Sequence, residues 1–196
     1  MTTAVAVGLL MLSLLLPGSA TPNSNAGYDS LAAGAGTRGA KLLQQGRGEE
    51  ATRAFRLAGR LQPALWQAHY SLGASLLTAC RCSSALVAYS RALAVMRQNG
   101  SGSAAHQAAA LKAKATSALP IAKVATNSSY QMRMLELVAT SLEEAFALHP
   151  EPQSPLHEAV KTARGRGGLH HLLLLSSGGE CVSHVRAQAA AAVSQG

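Results

Sequence analysis

Between Ala51 and Met134 the chain carries no aspartate or glutamate, and Asp29 is its only aspartate. General acid–base chemistry needs two carboxylates, or a histidine and a carboxylate, in one cleft. That shortage speaks against enzymes built on such pairs, and no H-x-D, D-x-D or H-E-x-x-H pattern occurs. Ser176-Ser177-Gly178 lacks the glycine two residues ahead of the serine that a nucleophile elbow requires. The glycines between Gly36 and Gly39 have no lysine at the spacing of a phosphate loop. No catalytic residue and no cofactor is expected.

Cysteine is scarce as well. Cys80, Cys82 and Cys181 are the only three, an odd count that does not make a disulfide scaffold. Cys80 and Cys82 stand too close for an easy mutual bridge, so at most one of them pairs with Cys181. Cys80-Arg81-Cys82, His170-His171 and Cys181-Val182-Ser183-His184 contain potential metal donors. Zinc sites, however, converge four donors from two properly spaced pairs. These pairs are remote in sequence, and no metal site is expected.

Long hydrophobic runs are missing too, with one exception. Residues 4–16 form an uncharged apolar run of 13, short of the ~20 that a membrane-spanning helix takes. Pro17-Gly18-Ser19-Ala20 follows, with small residues three and one before a cleavage point. Residues 1–20 therefore read as a signal peptide, although the start lacks a Lys or Arg; an uncleaved anchor or a mis-joined reading frame are the alternatives. The expected location is the secretory lumen or outside the cell, with no stable membrane span. Asn99-Gly100-Ser101 and Asn127-Ser128-Ser129 are N-glycosylation acceptor patterns that fit that compartment.

What the chain has in plenty is alanine, 39 of 196 residues, the strongest helix former. Aromatic residues are 4% of the chain, so Leu, Ala and Val must build the core. The formal net charge is +8. Arg53, Arg56, Arg60, Arg81, Arg91, Arg97, Lys112, Lys114, Lys123 and Arg133 all fall in the stretch without acids. Arg53, Arg56 and Arg60 share one helical face. They read as a solvated face or as a contact for polyanions such as sulfated glycans or anionic lipid heads. Basic and aromatic residues do not alternate, so nucleic acid is not an expected partner.

Along the chain, residues 21–38 are rich in Gly, Asn and Ser and read as a flexible linker. Helical periodicity begins at Gly39 and breaks at Gly46 and Gly48. Glu49 and Glu50 open a helix ending before Pro63, with Ala51, Ala54, Phe55, Ala58 and Leu61 on one face. Helices are expected over 64–78 and 83–96, then a break at 99–103. A helix over 104–118 is expected to stop before Pro120, and a long amphipathic one covers 132–148. Ser154-Pro155 offers an N-cap and first-turn proline for a helix over 156–163. Residues 169–175 are a short apolar run, a lead-in to a capping helix over 180–193 or the opening strand of a further fold.

The most informative pattern is a repeat. Gly39, Ala51, Phe55 and Ala58 recur 34 residues later as Gly73, Ala85, Tyr89 and Ala92. This spacing resembles the tetratricopeptide repeat (TPR), a helix-turn-helix unit of 34 residues. The resemblance covers 39–96 well and extends loosely to Pro150 as a degenerate third unit. It implies an all-α stack of hairpins over 39–150, followed by a helical capping segment over 151–196. In the family, the first helix of each unit lines a concave groove for an extended peptide or a partner helix. By position, Gln67, Tyr70, Ser71, Ala74 and Thr78 would line it, with Tyr70 the best anchor and Trp66 and Leu72 packing inside. Arg38 before Gly39, and Lys41 in a slot usually small and buried, depart from the pattern and suggest a frayed or shifted first helix. Gly36, Ala40, Ser71 and Ala74 replace the Lys and Asn of the branch that binds chaperone tails, so recognition of a C-terminal carboxylate by that route is not expected. Two clear units fall short of the roughly three that stability needs, so packing must come from 132–148 and 156–163, or from a partner. The expected function is a non-enzymatic protein–protein interaction module; the alternative is the front section of a lumenal transferase or hydroxylase.

Overall fold

Alanine and leucine content makes this chain helical, and the 34-residue repeat decides where the helices turn. The computed structural model describes residues 24–151, 157, 160–161 and 179–194. Among them are seven long helices and no strand: α1 Ser24–Gln44, α2 Gly48–Leu61, α3 Trp66–Thr78, α4 Cys82–Asn99, α5 Ala104–Val124, α6 Ser128–Leu148 and α7 Gly179–Ser194. The pairs α1/α2, α3/α4 and α5/α6 form consecutive hairpins, with α2 packed on α3 and α4 on α5.

The first two hairpins turn identically. Gly46 adopts φ 73°, and Arg47 N–H bonds the Leu42 carbonyl at 2.9 Å while Gly46 N–H bonds that of Leu43 at 3.0 Å. This is the carbonyl capture that a left-handed residue permits at a helix end. At the equivalent place in the second hairpin, Cys80 has φ 53°, and Arg81 and Cys80 N–H groups bond Leu76 and Leu77 carbonyls at 2.8 and 2.9 Å. A Cβ in this conformation costs about 1–2 kcal/mol.

Above each turn a glycine meets a ring. A Cβ built on Gly39 would stand 2.8 Å from the Phe55 ring, and one on Gly73 2.9 Å from the Tyr89 ring. The bare backbone lets each aromatic lie flat on the facing helix. Ala51, Ala58, Ala85 and Ala92 are fully buried beside these contacts. Between the hairpins, Thr52 and Ser75 share a buried hydroxyl bond of 2.7 Å. Buried His69 donates from Nε2 to the Pro63 carbonyl at 3.0 Å, its ring against Gly59.

In the third hairpin both helices run 21 residues, the length of α1. Ala115 and Ala118 of α5 pack with Val138, Leu142 and Phe146 of α6. Beyond them, Cys181 of α7 forms a disulfide with Cys80, Cα–Cα 4.9 Å, and α7 packs on α5. Cys82 is buried and unbonded, and burial raises its thiol pKa, which keeps it a poor nucleophile.

Three expectations are corrected. Residues 24–38 are not a linker but the first two-thirds of α1; Ala32 is fully buried, and packing against α2 outweighs the intrinsic cost of the glycines. The first helix is neither frayed nor shifted: Arg38 and Lys41 are simply exposed along it. Pro120 lies inside α5 rather than beyond it. Buried Leu119, Ile121 and Ala122 hold the last turn in place, and the Gln131 side chain donates to the Ala122 carbonyl at 3.1 Å.

The signal segment 1–20 and the apolar run 169–175 lie outside the described residues. Of 156–163, only His157, Val160 and Lys161 are described, all helical. Among the described residues no helix is long and apolar enough to cross a membrane.

Candidate functional site

The first-helix side of the stack presents a small apolar hollow between α3 and α5. Trp66, Gln67, Tyr70, Ser71, His106 and Ala109 line about 210 Å³. Its aromatic wall is built in order. Tyr70 packs edge-on against Tyr89, centroids 5.4 Å apart, so the second glycine–ring lock also orients Tyr70. Trp66 meets Tyr70 edge-on at 6.5 Å and lies 5.0 Å from the His106 ring.

His106 is placed by the start of α5. Ser103 caps that helix: its hydroxyl accepts from His106 N–H at 3.3 Å and pairs with His106 Nδ1 at 2.9 Å. Ser103 N–H also donates to Nδ1 at 3.3 Å. The reciprocal cap fixes the ring over Trp66.

Of the five groove positions inferred from the repeat, Gln67, Tyr70 and Ser71 converge here. Ala74 and Thr78 lie further along α3 and do not line the hollow. Thr78 is exposed, its hydroxyl donating to the Ser75 carbonyl of its own helix at 2.9 Å. Tyr70 is half-buried and shared with the core, so it is a wall rather than a free-standing anchor. Trp66, expected inside, is half-buried and lines the hollow instead. His106 was outside the repeat landmarks; Ser103 followed by a side-chain acceptor three residues on was the signal for it.

Arg53, Arg56 and Arg60 are all exposed on α2. Arg56 faces Arg91 of α4 across a second cleft of about 380 Å³, with Leu72 and Leu76 among its lining. Glu50, nearby, accepts both bonds of the Arg47 fork at 2.6 Å, which lowers its pKa. Asn99 and Asn127 are exposed. Asn127 caps α6 through its side-chain oxygen, which accepts from Tyr130 N–H at 3.0 Å, leaving its amide nitrogen out of the cap. No group of three His, Cys, Asp or Glu residues that could hold a metal ion forms among the described residues.

No family model matches the sequence, and no curated protein matches it. Among solved structures, it is similar to the N-terminal domain of stress-induced protein-1 (STI-1) from C. elegans. Identity is 15%, the TM-score is 0.55, and the match covers 68% of this chain and 94% of that one. At that identity the likeness concerns the fold alone: an all-α, TPR-like stack of helical hairpins.

Proposed function

We propose that this chain is a non-enzymatic interaction module of the secretory pathway, which seats a segment of a partner protein against the α3–α5 hollow. One observation carries the reading: Trp66 and Tyr70 keep aromatic surface open to solvent in a protein otherwise poor in aromatics. Large, rigid aromatic side chains at the centre of a contact supply area at low entropic cost. The Cys80–Cys181 disulfide supports the compartment, because such bonds persist in oxidising surroundings. It agrees with the signal-like residues 1–20 and the exposed acceptor asparagines.

The test is proximity crosslinking in the secretory lumen with the full chain. Tyr70→Ala removes one wall, and Ala109→Arg fills the hollow from an exposed position. Loss of the same partner in both, with the helical circular dichroism signal kept, is the expected result. Equal recovery of every partner would remove the hollow as the binding surface.

A second reading, polyanion binding, has one observation in its favour: Arg53, Arg56, Arg60 and Arg91 are exposed, and none is ion-paired with a carboxylate among the described residues. Heparin retention should then fall with salt and drop when Arg53, Arg56 and Arg60 become alanine. Retention unchanged by that triple substitution dismisses it.

A further inference from the structure

The Cys80–Cys181 bridge does more than anchor the last helix. It ties the start of α7 to the α3–α4 turn, with Cys181 Sγ also 3.8 Å from the Leu77 carbonyl. From that tether α7 runs beside the end of α5 and the start of α6 without filling the space between. The cleft left there measures about 890 Å³, within the ~300–1,000 Å³ usual for small-molecule sites. It exceeds the α3–α5 hollow about fourfold, at 890 against 210 Å³.

Its walls are mainly apolar, with Ser83, Thr126, Asn127 and Tyr130 adding polar groups. Ile121 and Val124 come from α5, and Val185 and Ala190 from α7. Ile121 is 8% exposed, and Val124 and Val185 are half-buried. The charged groups are of one sign. Arg133 of α6 and Arg186 of α7 line the cleft while exposed, so they stand where it meets solvent. Neither is ion-paired among the described residues. No carboxylate belongs to the described lining. Arg133 lies over the Tyr130 ring at 5.9 Å, which steadies its position on the α6 side.

A mainly apolar interior flanked by two arginines, neither ion-paired among the described residues, selects an occupant that is apolar along its length and anionic at one end. Burying the chain supplies affinity in proportion to area removed from water. The cations supply charge-assisted bonds of the kind that fix a carboxylate. We propose that this cleft binds a free long-chain carboxylate of the fatty-acid class, its chain between α5 and α7 and its head at Arg133 and Arg186. This site lies apart from the α3–α5 hollow, and it stands or falls independently of the partner-binding reading.

The test is a fluorescence titration of the purified, disulfide-bonded chain with cis-parinaric acid, followed by displacement. Saturable one-to-one binding, displaced by oleate and about tenfold more weakly by oleyl alcohol, is expected. The double variant Arg133→Gln, Arg186→Gln should lose about tenfold or more in affinity for oleate. Ala190→Trp places a large side chain in the cleft from an exposed helical position, and should abolish uptake with the helical signal intact. Equal affinity for oleate and oleyl alcohol, or unchanged binding in either variant, would overturn the proposal. So would recruitment to phosphatidylglycerol vesicles that Ala190→Trp leaves untouched, since the arginines would then serve a membrane surface. Displacement by an acidic amphipathic peptide but not by oleate would overturn it in favour of a partner helix.

Discussion

The first two hairpins and the third solve the same packing problem with different chemistry. In α1/α2 and α3/α4, an aromatic ring lies on a glycine, Phe55 on Gly39 and Tyr89 on Gly73. In α5/α6 neither helix contains a glycine, and alanines of α5 meet Val138, Leu142 and Phe146 of α6 instead. A ring on a bare backbone is a contact at one point, fixed in sequence and intolerant of a single methyl group. An alanine seam is spread over several turns and has no point of failure. The difference explains why the repeat is legible in the first two units and fades in the third.

The comparison breaks most sharply if the rings are removed. Tyr89→Ala should cost about 3–5 kcal/mol, as for other large buried aromatic truncations, while Leu142→Ala in the seam should cost about 2–5 kcal/mol; urea denaturation of each variant measures both. Next comes the glycine itself. Gly73→Ala should destabilise by about 1–3 kcal/mol through overpacking against Tyr89, despite alanine's better helix propensity. The smallest effect has the opposite sign. Gly34 of α1 has nothing within 4 Å of a built Cβ, so Gly34→Ala should raise stability by about 0.5–1 kcal/mol. Thermal unfolding of the pair Gly34→Ala and Gly73→Ala shows whether the sign follows the ring.

The repeat was readable because its landmarks are steric requirements: glycine where a ring must approach, alanine where helices touch. The start of α1 was not. Its glycines mimic a linker, and only its contact with α2 makes residues 24–38 helical. Pro120 misled for a related reason, since the proline's lost bond is a local cost and the burial of Ile121 and Ala122 is a tertiary gain. Part of the hollow was legible through Gln67, Tyr70 and Ser71. His106 belongs to the third unit, whose landmarks are gone, so periodicity could not align it with α3. The disulfide choice was in principle readable. Cys80 stands 34 residues after Gly46, in a slot where the first hairpin uses glycine; a strained cysteine there is held by its bond to Cys181, while Cys82 is packed away.

A double-mutant cycle on Gly73 and Tyr89 tests the central claim, that a ring resting on bare backbone sets the repeat. Alanine at 73 should destabilise the chain when Tyr89 is present and stabilise or leave it unchanged in the Tyr89→Ala background, because the methyl group then enters vacated space. An equal cost in both backgrounds would contradict the account.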